Sequence, residues 1–393
     1  MPIVILLQRT KFIYANMATD QEFNELRPYR DHEIHQVFQQ LLKEESFIEL
    51  LKYLFPHVPI NDFVNQLLSI NTIKEFQIGV VYPFIKEIIK DTTKGVTAEG
   101  LDKLDPNKSY IFISNHRDIV LDSAFLNILL HEHGHETSEI AIGDNLLIYP
   151  WITQLVKLNK SFVVRRNLPA RQMLQSSNLM SKYIRYNITE RNQSVWIAQR
   201  EGRSKDGDDR TQTSLLKMIN MSGNGDFEQN FKEVQIVPLS ISYEYDPCDY
   251  LKAHEFLLKR DNPDYKKTQA DDLKHMGSGI KGRKGRVHFK AAAPLNEELV
   301  GLNELDKHER LNKLAEIIDN HIHSNYKLWP GNFIAADFVN GNKLFASKYT
   351  KEDADVFNAY INEHISRLNA DKEFIHACLM EMYANPVKNF YNG

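Results

Sequence analysis

The chain has 393 residues, 42% of them hydrophobic and 25% charged. These are the proportions of a soluble globular protein, at a length that allows more than one domain. Lysine and arginine number 48 and aspartate and glutamate 52, a net charge of −4, so the chain as a whole is not a polybasic nucleic-acid binder. Two cysteines, Cys248 and Cys378, cannot build a disulfide scaffold at this size and fit a reducing compartment.

The longest uncharged run has twelve residues, 145–156, and 76–85 has ten. Both fall short of the ~18–20 apolar residues that span a bilayer, so no membrane span is expected. The apolar run 3–7 is too short for a signal peptide, and Arg9 and Lys11 follow it when they should precede it. Met17 is an alternative start.

The first ninety or so residues read as helical. Ile34, Val37, Phe38, Leu41 and Leu42 mark one apolar stripe that Ile48, Leu51 and Phe55 roughly continue, until Pro56 and Pro59 interrupt it. Phe63, Leu67 and Leu68 mark a second. A third runs from Thr72 towards Ile89, weakened by Gly79 and Pro83. No residue type here suggests chemistry, and residues 1–95 are expected to form a helical cap.

After Lys94-Gly95 the pattern changes. Residues 96–100 predict a short strand, Asp105-Pro106-Asn107 a turn, and 110–113 a buried strand. A helix is expected over 123–130, with strands at 162–164, 195–198 and 235–243. Asn167 and Pro169 read as the N-cap and first position of a helix through Met173, Leu179 and Tyr183. Pro238 suits a strand start or a bulge. Strands alternating with helices predict an α/β domain over 96–330, built on a central mixed sheet flanked by helices. A long helix is expected over 305–326. Thr350 and Asp353 have capping-box spacing, and residues 331–393 read as a helical extension.

Three clusters could carry chemistry. In Ser114-Asn115-His116-Arg117-Asp118 and on to Asp122, a histidine follows a buried strand and acidic residues open the next helix. That is the place for a general base, since imidazole titrates near neutral pH and a carboxylate orients the ring. Arg165 and Arg166 at a strand end, just before a helix N-terminus, suit an anion. Glu201-Gly202-Arg203-Ser204-Lys205 follows another strand. Gly202 permits a tight turn, Arg203 and Lys205 suit phosphate, and Glu201 could bind a hydroxyl or hold an arginine. Taken singly, each could be a solvated turn.

In this order, together with Val237-Pro238, the clusters resemble the motifs of the glycerolipid O-acyltransferase superfamily, which includes glycerol-3-phosphate and 1-acylglycerol-3-phosphate acyltransferases. The resemblance covers roughly 96–300. Two departures are visible. The family's aspartate, five residues after the histidine, would fall on Leu121, whereas Asp122 lies one residue late and Asp118 three early. On one continuous helix Asp122 would sit about 120° from His116, so the histidine must lie in the preceding turn if the two pair. Asp122 is favoured, because it leaves Asp118 to cap the helix. The third motif also lacks one residue between Gly202 and Arg203.

The resemblance implies an O-acyltransferase of phospholipid synthesis that takes the acyl group from acyl-CoA or an acyl-carrier-protein thioester. His116 would be the base, with Asp122 or Asp118 its partner. Arg165, Arg166, Arg203 and Lys205 would hold the acceptor phosphate, while Glu201, Gly202 and Ser204 orient the acceptor. No metal or bound cofactor and no nucleic acid is implied. The strand ending Val-Val-Arg-Arg leans towards a glycerol-3-phosphate acceptor, with lysophosphatidate or another lysolipid left open. Residues 146–151, rich in aliphatic and aromatic groups, suit either a core helix or peripheral attachment to the cytoplasmic membrane face.

Two other readings compete. His131-Glu132-His133-Gly134-His135 matches the HExxH pattern of zinc hydrolases. Gly134, however, falls where a helix should end, which makes a polar helix terminus the simpler reading. A lipid-binding protein without catalysis is the other. The global charge also hides a basic segment: residues 157–210 hold twelve basic and five acidic residues, which fits a phosphate-bearing substrate.

Overall fold

The computed structural model describes residues 21–392; the apolar run 3–7 and Met17 lie outside them. The described residues group into two compact units. One holds 21–81 and 139–186, and the other holds Tyr82–Ser138 and 187–392. The segment 139–186, inside the α/β domain as read from sequence, is grouped with the N-terminal helices, and the C-terminal helices are grouped with the larger unit.

The architecture is mixed α/β. The strands are β1 (Thr93–Glu99), β2 (Ile111–Ser114), β3 (Glu139–Gly143), β4 (Ser161–Val164), β5 (Val195–Ala198), β6 (Ile236–Tyr243) and β7 (Gly285–Ala291). In the larger unit five strands lie in the order β1-β7-β6-β2-β5. β2 is parallel to both β5 and β6, with Ser114 opposite Ala198 and Leu239, while β6 and β7 run antiparallel. The β-branched and aromatic residues of β2 explain its central place: Ile111, Phe112 and Ile113 are fully buried. Each such side chain contributes about 1.5–3 kcal/mol through burial. Because β2 and β5 are parallel and in register, their carboxyl ends open on the same edge, where α/β proteins bind ligands. The helices Leu121–Glu132 and Lys307–Ser324 pack on this sheet.

The C-terminal helices Pro330–Asn340, Lys351–Ser366 and Lys372–Asn392 share an apolar core with the helix Asp249–Asp261, through Phe333, Phe357, Ile361, Leu379, Ala253 and Leu257. The Thr350–Asp353 capping box forms as the spacing predicts: Asp353 N donates to Thr350 Oγ1 at 3.1 Å and Thr350 N to Asp353 Oδ2 at 2.9 Å.

The smaller unit pairs β3 with β4 in parallel. Its helical core joins Ile34, Phe38, Phe47, Phe63 and Phe76 to Leu158 of the helix Pro150–Leu158.

Several expectations change. The first stripe breaks into two helices, Ile34–Leu41 and Glu45–Leu54. The pattern from Thr72 resolves into Ile73–Phe76, a π-helical turn at Gln77–Val81 that contains Gly79, and Tyr82–Thr92 with Pro83 in its first turn. Asn167 is not an N-cap. It occupies a left-handed turn (φ 54°), which asparagine tolerates, and the helix Ala170–Thr189 begins after Pro169. Pro238 lies inside β6, where the β7 ladder starts only at the next residue, Leu239 opposite Ala291. β7 was not read from the sequence, although Val287, Phe289 and Ala291 alternate with Arg286, His288 and Lys290 as a half-buried strand does.

Candidate active site

The site begins where β2 ends. The Asn115 side chain extends the sheet contact beyond Ser114: its amide donates to Ile241 O and its oxygen accepts from Ile241 N, both at 2.8 Å. Trp196 of β5 donates to Ser114 Oγ at 3.0 Å and sets its ring against His116, edge to face, with centroids 5.4 Å apart. These two residues fix the turn and the imidazole plane. Asn115 was read as part of the first cluster without a role and Trp196 only as a strand residue, because their partners lie on other strands.

His116 Nδ1 meets Asp122 Oδ2 at 2.8 Å. The same oxygen accepts Arg117 N at 2.6 Å and Asp118 N at 3.1 Å, and Asp122 is fully buried. The carboxylate on the ring is therefore Asp122. The six-residue spacing works because His116 sits in the turn while Asp122 lies in the first turn of the helix Leu121–Glu132. Asp118 does a different job: its Oδ1 accepts Val120 N at 2.9 Å and Leu121 N at 2.8 Å, closing the helix start. Burial, and then the neighbouring Asp122 carboxylate, push the Asp118 carboxyl above the usual range. With Nδ1 on the carboxylate, Nε2 is the ring nitrogen left to take a proton.

Arg117 points away from the chemistry. Its guanidinium grips Asp209 with both ends, at 3.2 and 2.6 Å, and Asp209 also accepts the Tyr326 hydroxyl. Burial opposes the charge on Arg117, but Asp209, Tyr326, Asp246 and Asp122 together more than offset it and hold the guanidinium above its ordinary pKa. Lys252, paired with Asp246, donates to Arg117 O at 3.0 Å. The turn that carries His116 is thus pinned from below by buried ion pairs, which are strongly destabilising to break one-sidedly.

The loop after β5 closes on the same turn. Ser204 N donates to His116 O at 3.0 Å. Gly202 takes a positive φ of 72°, as a tight turn requires. Glu201 is exposed, and its backbone N–H donates to Gln212 Oε1 at 2.8 Å. Arg203 is buried. Its Nη2 lies 2.8 Å from His275 Nδ1, and its Nη1 is a buried donor with no hydrogen-bond partner among the described residues. Two residues depart from their expected roles. The Ser204 hydroxyl is used inside the loop, by Asp206 Oδ1 and Gly207 N. Lys205 is paired with Glu255, and burial lowers its pKa.

Arg165 and Arg166 belong to the smaller unit. Arg165 pairs with Glu25 at 2.5 Å on the surface. Arg166 N donates to the Asp144 carboxylate at 3.2 Å, and its guanidinium packs over Gly143. The larger unit alone brings together His116, Asp122, Asp118 and Arg203.

The His131–His135 motif does not form one metal-binding helical face. The helix ends at Glu132, and Gly134 turns left-handed (φ 79°). His131 packs edge-on against Tyr82, Glu132 binds Lys86 and the Tyr82 hydroxyl, and His135 Nε2 contacts Leu101 O at 2.9 Å. Among the described residues no group of three or more His, Cys, Asp or Glu is placed to hold a metal ion.

The C-terminal helix was read only as an extension, yet it seats the loop after β5. Asn385 donates to Asp206 O at 2.7 Å and Asn389 to Asp208 Oδ1 at 3.2 Å. Two asparagines four apart on one helical face were the available signal.

Residues 95–242 match the family model described as Acyltransferase. The chain is 24% identical over 229 residues to the dihydroxyacetone phosphate acyltransferase of Bos taurus. That alignment covers 57% of this chain and 32% of the bovine protein, so the chain spans about a third of the length of the curated relative it matches. Among solved structures it is similar to the 1-acyl-sn-glycerophosphate acyltransferase PlsC of Thermotoga maritima, at 11% identity and a TM-score of 0.40, over 76% of this chain and 97% of that one. The similarity to acyltransferases thus lies in residues 95–242, which hold His116, Asp122 and Arg203.

Proposed function

We propose that the chain transfers a fatty acyl group from an acyl thioester to the hydroxyl of a small phosphate-bearing acceptor. The observation that carries this reading is the His116 Nδ1–Asp122 Oδ2 contact of 2.8 Å, beside a loop that buries an arginine donor with no partner. The acceptor hydroxyl gives its proton to His116 Nε2 while its oxygen attacks the thioester carbonyl. Asp122 stabilises the imidazolium that forms. The tetrahedral intermediate collapses, the carbon–sulfur bond breaks, and the leaving thiolate takes the proton from His116. Ester and free thiol are the products, and atoms and charge balance. Arg203 binds the acceptor phosphate and holds the hydroxyl near the base. Arg165 and Arg166 are proposed as a further anion site on the smaller unit, and Glu201 as a group that orients the acceptor.

The acceptors proposed are glycerol-3-phosphate, 1-acylglycerol-3-phosphate and, from the name of the bovine relative, dihydroxyacetone phosphate. The donor proposed is acyl-CoA or an acyl-carrier-protein thioester. The test supplies labelled acyl-CoA with each acceptor in turn and identifies the ester by mass spectrometry. Acylation of a phosphate-bearing acceptor is expected, and label found only in free fatty acid contradicts the reading.

Peripheral attachment to the cytoplasmic membrane face is proposed as well. No helix among the described residues is long and apolar enough to cross a membrane. Tyr149 is exposed and stacks parallel on Trp151, centroids 6.3 Å apart, at the start of the helix Pro150–Leu158. Such aromatics suit the headgroup layer. Co-flotation with anionic vesicles, lost on Tyr149→Ser, is the expected result; absence of flotation contradicts it.

A further inference from the structure

The helix Gln269–Lys281 lies beyond the residues that match the family model, yet it touches both site motifs. His275 and Gly279, four apart and so on one face, are its contact points. His275 Nδ1 meets Arg203 Nη2 at 2.8 Å. Gly279 lies against Asp118, so close that a Cβ there would stand 2.1 Å from Asp118 Oδ2. Both ends of the helix are tied. Thr268 Oγ1 accepts Asp271 N at 3.2 Å, and Lys284 Nζ donates to Ile280 O at 3.2 Å and Gly282 O at 2.7 Å. The position of the ring is therefore fixed by the fold.

A guanidinium can only donate, so Nδ1 must accept and the ring proton must sit on Nε2. His275 is buried, and burial followed by the charge of Arg203 pushes its pKa down to about 2. The ring stays neutral in the working range. Arg203 is thus hydrogen-bonded by a neutral acceptor; the Asp118 and Asp246 carboxylates are near enough to interact with its charge, but neither is hydrogen-bonded to it. Nη1 is left buried and unpaired.

We propose that His275 is a positioning residue: it anchors Arg203 through Nη2 and leaves Nη1 for a phosphate oxygen of the acceptor. This rests on the phosphate-acceptor reading of the site. Asn in place of His275 offers an acceptor atom near that of Nδ1, Leu offers none, and Glu supplies an anion that competes with the phosphate for Arg203.

The experiment measures KM and kcat for glycerol-3-phosphate and for glycerol, with acyl-CoA as donor, in wild type, His275→Asn, His275→Leu and His275→Glu. His275→Leu is expected to raise KM for glycerol-3-phosphate about tenfold, the scale of one hydrogen bond to a charged group. His275→Glu should raise it further, and His275→Asn should stay near wild type. Turnover of glycerol, which has no phosphate, should be unchanged in all three. An unchanged KM in His275→Leu and His275→Glu overturns the proposal. Equal losses with both acceptors, not rescued in His275→Asn, also overturn it and assign His275 a packing role. Wild-type protein that acylates no phosphate-bearing acceptor refutes the underlying reading instead, and the wild-type arm reveals this by itself.

Discussion

The helix Leu121–Glu132 carries histidines and carboxylates at both ends, and the two ends are built for different purposes. At its start, His116 and Asp122 meet in a turn locked by Asn115, Trp196 and buried ion pairs. Three donors converge on one carboxylate oxygen there. At its finish, His131 packs on the Tyr82 ring, Glu132 accepts from Lys86 and the Tyr82 hydroxyl, and His135 meets a backbone carbonyl; no carboxylate there is set on an imidazole nitrogen. The residue types are alike. What separates the two ends is a fully buried carboxylate fixed by backbone N–H groups and set on a ring nitrogen, against an exposed one held by neighbouring side chains.

Breaking the first end should cost far more than breaking the second. Asp122→Asn keeps the shape but removes the charge that orients and stabilises the imidazolium. It is expected to lower kcat about 10²–10³-fold, with the melting temperature little changed, read by thiol release and calorimetry. Gly279→Ala presses on Asp118, whose other oxygen is fixed by two helix N–H groups and cannot swing away. An overpacking cost of about 1–3 kcal/mol and a clear fall in kcat are expected from denaturant titration and steady-state kinetics.

At the far end, Gly134→Ala forces a side chain into a left-handed position with open space around it. About 1 kcal/mol of stability should be lost while kcat stays at the wild-type value. Glu132→Gln breaks only the partly exposed pair with Lys86. It should cost about 0.5 kcal/mol or less, shrinking further in high salt, with zinc content and turnover unaffected. A large loss of turnover in either far-end variant would erase the distinction between the two ends.

What the sequence disclosed follows from range. The strands β2, β5 and β6, the capping box at Thr350 and the site turn are local patterns, and they were readable. So was the order of the motifs that carries the resemblance to acyltransferases. The inference that His116 must sit in a turn to reach Asp122 needed only helix geometry. The unreadable parts are long-range. Arg203 and His275 are 72 residues apart, and Arg117 and Asp209 are 92 apart. No periodicity links such pairs. Lys205 looked as suited to phosphate as Arg203, and only the placement of Glu255 separates them. β7 was a local pattern too: Val287, Phe289 and Ala291 alternate with Arg286, His288 and Lys290, and the strand was passed over.

The most direct test of the central claim is thiol release from acyl-CoA with a phosphate-bearing acceptor, measured for wild type, His116→Ala and His131→Ala at matched folded concentration. The account predicts a loss of about 10²–10⁴-fold in kcat for His116→Ala and wild-type turnover for His131→Ala. Equal turnover in wild type and His116→Ala would contradict it.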